Sequence, residues 1–144
     1  MSDIDIAVSL LQSEEISIIF IKNKEVLYKS SYHGIRPFVD AINNCGSVLK
    51  GSSVADRIIG KASALLCIYT GVIHLYGSII SSDAMIILDH NKIPYKYGKA
   101  VQKITNRCGT DLCPFEKVVL GIDDPENAYR VINKIISGSN PINI

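Results

Sequence analysis

Apolar and polar positions along the chain change period several times, and each change predicts a new element. Ile4, Ala7, Val8 and Leu11 recur at helical spacing and predict a first amphipathic helix. Residues 16–21 (ISIIFI) and 25–30 (EVLYKS) flank Lys22-Asn23-Lys24 and predict two strands around a polar turn. His33-Gly34-Ile35-Arg36-Pro37 breaks that hairpin. Pro37 suits the first turn of a short helix over PFVDAINN, where its missing N–H costs nothing, and Gly46 ends it.

Gly51-Ser52-Ser53 then introduces a longer periodic segment. Val54, Ile58, Ala62, Leu65 and Tyr69 follow at steps of four, four, three and four, which predicts one central helix through this region. Residues 72–80 (VIHLYGSII) are rich in β-branched side chains and predict a buried strand. Ser81-Ser82-Asp83 supplies N-caps for the helix AMIILDH, and IPYKYGK predicts another strand with its proline near the start. Cys113-Pro114 opens a short helix, and Asp124 with Pro125 opens the last one, followed by Ala128, Val131, Ile132 and Ile135. An α/β fold follows, in which a mixed sheet is covered by helices on both faces, antiparallel at the hairpin and parallel in the alternating second half.

Composition narrows the function classes. The 144 residues suit one domain, 1–144, and 47% hydrophobic against 20% charged residues describes a chain that folds around a core. A net charge of +1 gives no electrostatic attraction to nucleic acid or to an acidic membrane. The N-terminus MSDIDIAVSLLQSEE lacks a basic n-region, and the apolar run 65–80 is interrupted by Thr70, Gly71, His74, Gly77 and Ser78. Neither a secretory leader nor a membrane span is expected. Cys45, Cys67, Cys108 and Cys113 read as reduced thiols of a cytoplasmic protein.

Three motifs carry a resemblance. VADRIIGKASALL (54–66), ISSDA (80–84) and NRCGTDLCPFE (106–116) resemble an uncharacterised family, a domain of unknown function found in single-domain prokaryotic proteins of the cytidine deaminase-like superfamily. That resemblance implies the three-layer deaminase-like sandwich, a pocket at the start of the central helix, and self-association as a homodimer or larger homo-oligomer. Zinc deaminases carry a His or Cys followed by Ala-Glu at the central helix and Pro-Cys-x-x-Cys at the next. Here Ala55-Asp56-Arg57 and Ser81-Ser82-Asp83-Ala84 take those places, so no metal site and no cofactor are expected.

The remaining candidates come from residue chemistry. Asp56, Arg57, Gly60 and Lys61 are expected on the helix side opposite the apolar stripe, either with Asp56 as general base and Lys61 as charge stabiliser or as a solvated face with an Asp-Arg-Lys salt-bridge cluster. Gly60 inside a helix calls for a close approach of backbone or ligand. Asn106-Arg107 with Gly109-Thr110 offers a planar guanidinium and a turn of N–H groups to an anion, or is a surface turn whose arginine pairs with Asp111 or Glu116. Cys113, as N-cap ahead of Pro114 with Glu116 at the third position, is either a thiol activated by the helix start or a small apolar group packed inward. Ser81 and Ser82 follow a buried strand where open α/β sheets hold ligands, or simply cap a helix. His33 and Arg36 border a pocket or lie on ordinary surface.

The expected function is binding of a nucleotide or related phosphorylated ligand between the central helix and the 106–116 loop, without zinc. Catalysis would use Asp56, Lys61, Arg107 and Cys113. The alternatives are a non-catalytic ligand sensor or assembly subunit, and more remotely a metal-dependent hydrolase.

Overall fold

The computed structural model describes residues 1–138, so the end of the expected 1–144 domain lies outside the described residues. Helix α1 (Asp3–Ser13) begins at a reciprocal cap, in which Asp5 N–H donates to Ser2 Oγ and Ser2 N–H donates to the Asp5 carboxylate. It buries Ile4, Ala7 and Leu11, members of the predicted stripe. The hairpin pairs β1 (Ile18–Lys22) with β2 (Glu25–Ser30). Its two turn residues, Asn23 and Lys24, both have positive φ, the geometry that matches strand twist. Asp3 supports them by accepting from Asn23 N–H at 3.0 Å and Lys24 N–H at 2.9 Å.

Helix α2 (Arg36–Cys45) has Pro37 in its first turn and ends at Gly46, where φ is 56°. The expected central helix is corrected at this point. Residues 54–59 form a strand, β3 (Ser53–Ile59), and the helix α3 starts only at Lys61 and runs to Thr70. The reason is burial on both faces. Val54 and Ala55 are both fully buried on opposite sides of the sheet, so the strand's apolar residues carry no period of two and imitate a helical stripe. Gly60 is the punctuation between strand and helix, and it stands at the N-cap rather than in a helix interior.

The second half alternates as expected: β4 (His74–Ser81), α4 (Ser82–His90), β5 (Tyr95–Val101), α5 (Pro114–Val118) and α6 (Pro125–Ile136). The sheet order is β2-β1-β3-β4-β5, antiparallel from β2 to β3 and parallel from β3 to β5. On one face α1 packs Ala7 and Leu11 against Ile19, Ile21 and Ala55. The other face carries the larger core, where Phe20 and Phe38 meet edge to face at 5.3 Å and α3, α4 and α6 contribute Leu65, Leu66, Leu88 and Ile132. This is a mixed α/β sheet with helices on both faces, as the sequence pattern predicts. No helix among the described residues is long and apolar enough to cross a membrane.

Candidate functional site

The crevice forms where β3 ends and α3 begins, the end of the strand at which open α/β sheets leave room for ligands. A cavity of about 240 Å³ opens there. Its wall comes from five pieces of chain: Ser17 before β1, His33 to Ile35 after the hairpin, β3 with the start of α3, and the segments 104–107 and 113–116.

Asp56 lies in this wall on β3, 8% exposed. Its Oδ1 accepts from Ile58 N–H at 3.3 Å, and no described side chain donates to it. Burial pushes its carboxyl up to about 7; the N–H groups of Ile58 and Arg57 and the charge of Arg57 pull the other way and lose. A carboxyl with that value is half ionised near neutrality, the state a general acid or base requires.

Arg57 points elsewhere. Neighbouring strand residues face opposite sides of a sheet, and the Arg57 guanidinium reaches the end of α1. There Nε donates to Ile16 O at 2.7 Å, and Nη2 donates to Leu11 O at 2.9 Å and Glu14 O at 3.2 Å. α1 has no basic residue in its last turn, so Arg57 supplies both donors and positive charge to its carbonyl end. Although it lines the cavity, its side chain is committed to structure.

Glu116 holds the other side of the crevice. Its helix α5 starts at Cys113 and Pro114 as predicted, yet the carboxylate does not serve α5. It accepts from Lys61 N–H and Ala62 N–H, both at 2.8 Å, and so caps α3 across the cavity wall. Burial raises its carboxyl above the ordinary range; the two amides lower it, Asp83 adds to the rise and Lys61 opposes it.

The other predicted residues divide by position. Asn106, Arg107 and Cys113 join Asp56 at the cavity. Asn106 Oδ1 accepts from Thr110 N–H at 3.1 Å and fixes the 106–110 turn, while the exposed Arg107 has no hydrogen bond or ion pair to any described residue. Asp111 pairs with Lys117, so it is not the partner of Arg107. Lys61 lies outside the cavity, its ammonium 3.0 Å from Asp123. Ser81 is a buried N-cap accepting from Ala84 N–H at 3.1 Å, and Ser82 Oγ donates to Val101 O at 3.4 Å; neither lines the cavity. Gly109 and Thr110 line a separate groove with Lys103 and Lys117. His33 borders the cavity, whereas Arg36 does not line it and donates to Ile136 O at 3.4 Å.

Sequence reasoning misses Ser63. It is 6% exposed, lines the cavity, and its hydroxyl has no hydrogen bond to a described residue. No fully buried side-chain N or O atom among the described residues lacks a partner, so this hydroxyl is one that opens into the cavity. Placing the helix start at Gly60 would have found it, because Ser63 is then the third residue of α3. No group of three or more His, Cys, Asp or Glu side chains suited to a metal ion exists among the described residues.

The fold and crevice define a mixed α/β protein with a carboxyl-bearing cavity at the head of a parallel strand pair. The chain belongs to the family described as a domain of unknown function, DUF1893, whose model matches residues 6–136. It is similar to a DUF1893 family protein (TM1506) from Thermotoga maritima, with 25% identity and a TM-score of 0.84 over 92% of this chain and 88% of that one. A dCMP deaminase from the cyanophage S-TIM5 aligns at 13% identity and a TM-score of 0.48, over 66% of this chain and 93% of that one. A diaminohydroxyphosphoribosylaminopyrimidine deaminase/reductase from Thermotoga maritima aligns at 12% identity and 0.47, over 83% and 40%. Likenesses of that size carry no argument about chemistry. No curated protein matches the chain.

Proposed function

We propose that this protein binds a small nucleotide-like or otherwise phosphorylated molecule in the Asp56 cavity, with Arg107 at the phosphate and Asp56 as the group that exchanges a proton. The observation that carries this reading is that one cavity is lined both by a buried carboxyl titrating near neutrality and by an arginine that has no partner among the described residues. An exposed planar guanidinium with no carboxylate to satisfy it is suited to bidentate recognition of a phosphate. Lys61 has no part in this reading, because it is paired with Asp123 on the outside.

A thermal-shift panel of nucleotides and sugar phosphates tests it, since a ligand that prefers the folded state raises the melting temperature. At least one compound stabilises the wild type, and Arg107→Ala abolishes the shift. Equal shifts in both proteins, or none with any compound, remove the phosphate site. Turnover of the stabilising compound, lost in Asp56→Asn, separates an enzyme from a sensor using the same pocket.

A further inference from the structure

We propose that the deep end of the cavity takes the cationic end of the ligand, an amidine- or guanidine-type N–C–N group, held by the Asp56 carboxylate with the Ser63 hydroxyl as second partner. This rests on the reading above that the cavity is a ligand site, and it gives that ligand a polarity: positive end inward, anionic end at Arg107.

The inference follows from which charges the protein provides and where. Asp56 is a buried carboxyl that no described cation pairs with or donates to. The positive charge that acts on it, Arg57, is turned to the opposite face and donates to the carbonyls of Leu11, Glu14 and Ile16. Lys61 leans outward to Asp123. His33 and Arg107 line the same cavity but are exposed, which places them at its mouth. A carboxyl left in this state either stays neutral or waits for a partner.

The other groups that face the site do not supply one. Cys67 on α3 is fully buried, and burial, followed by the charge of Asp56, raises its thiol well above the usual range. Glu116 is occupied by the Lys61 and Ala62 amides. The Ser17 hydroxyl donates to the carbonyls of Ser30 and Tyr32. Cys113 contributes a half-buried thiol. Among the nine-tenths-buried polar side chains of this wall, Asp56 Oδ2 and Ser63 Oγ are thus the oxygens with no hydrogen bond to a described residue. A phosphate at this depth would stand against Asp56 as a like charge, whereas two N–H donors in one plane match a carboxylate edge. Ala62 and Phe115 provide apolar walls for a flat group.

Benzamidine and its anionic counterpart benzoate are the probes, titrated into the full chain by calorimetry and ligand-observed NMR at pH 6 and pH 8. Benzamidine binds, about tenfold tighter at pH 8 than at pH 6 because Asp56 must lose its proton to receive the cation. Benzoate does not bind Arg107→Ala, in which the anion site at the mouth is removed. Asp56→Asn, folded by circular dichroism, loses at least tenfold in benzamidine affinity and all of the pH dependence, which separates Asp56 from the titration of His33 and Cys113. Ser63→Ala, which leaves the carboxylate in place, weakens benzamidine and retains the pH dependence. Benzoate binding to Arg107→Ala as tightly as benzamidine, an unaltered benzamidine affinity in Asp56→Asn, or no benzamidine binding at all overturns the inference. Ribose 5-phosphate run in parallel on the wild type and Arg107→Ala keeps the two readings apart. An Arg107-dependent phosphate signal without benzamidine binding overturns the cation pocket alone, and the converse overturns the phosphate site alone.

Discussion

Gly60 and Glu116 are fitted to one another across the crevice: a Cβ added to Gly60 would lie 2.5 Å from the Glu116 carboxyl carbon and 2.8 Å from Oε2, with Oε1 nearer still. The absence of a side chain at Gly60 lets the carboxylate reach the Lys61 and Ala62 amides at the start of α3. The backbone itself makes no demand, since φ at Gly60 is −101° and any residue adopts it.

Gly60→Ala therefore destabilises the protein. On backbone entropy alone, replacing an unstrained glycine by alanine stabilises by about 0.4–1 kcal/mol. Here the methyl displaces Glu116 and breaks charge-assisted hydrogen bonds, a loss of about 2 kcal/mol or more. Urea unfolding reads the sign directly, and a stabilised Gly60→Ala would show that the Glu116 cap contributes nothing.

Asp56 predicts the form of the pH–stability curve. Its carboxyl sits at about 7 in the folded protein against an ordinary 3.8, so between those values the folded state holds a proton that the unfolded state releases. Stability then falls as pH rises from about 4 to about 7 and is level above that, a span of up to about 4 kcal/mol at about 1.4 kcal/mol per unit. Glu116, also raised, acts in the same direction. Asp5 and Asp111 are lowered by their hydrogen bonds and are fully exposed, so they act below this window and in the opposite sense. Asp56→Asn keeps an oxygen for Ile58 N–H, and it unfolds at a higher temperature than the wild type at pH 8 with little difference at pH 4. Melting curves that stay parallel across this range would place no raised carboxyl at position 56.

Elements that announce themselves by local chemistry are legible in the sequence, and those defined by long-range partners are not. The Asn23-Lys24 turn, Gly46 after α2 and Asp124-Pro125 before α6 are punctuation that the chain writes beside the element it ends or begins. The β3–α3 boundary escapes the pattern because a strand buried on both faces has no alternation, and its Val54 and Ile58 fall by chance in step with Ala62 and Leu65 of the following helix. Asp56 stands out in the sequence, but from a helical placement; its burial comes from its place on β3, the central strand of the sheet. The task of Arg57 is hidden because its acceptors lie more than 40 residues away in sequence. The fit of Glu116 to Gly60 spans a similar gap, although the glycine itself signals a close approach.

Arg57→Met separates structure from ligand binding at two adjacent residues. Methionine fills much of the same volume, but it leaves Leu11, Glu14 and Ile16 carbonyls without their donor and α1 without positive charge at its end. The expected cost is about 2–3 kcal/mol in urea unfolding, from lost hydrogen bonds to a charged group. Ligand-induced shifts in the panel persist in this variant once its lower melting temperature is subtracted. Loss of those shifts with unchanged stability would mean that Arg57 touches the ligand after all.

The four thiols report on the cavity whatever molecule fills it. Cys67 is fully buried in α3, and its thiol is pushed well above the ordinary range by burial, so iodoacetamide leaves it untouched until the chain unfolds. Cys108 is exposed at the tip of the 105–112 hairpin, away from the cavity, and reacts as a free surface thiol. Cys45 is half-buried beneath β2, its thiol 3.8 Å from Leu27 O, and serves as a second thiol remote from the site. Cys113 is half-buried in the cavity wall, with no capping hydrogen bond from its own side chain. A molecule seated against Asp56 covers that thiol, so its alkylation slows in the presence of a stabilising ligand while Cys108 and Cys45 keep their rates. Site-resolved mass spectrometry follows all four in one experiment. Equal slowing at Cys113 and Cys108 would report a general tightening of the fold instead of an occupied cavity, and slowing at Cys108 alone would move the ligand to the hairpin tip.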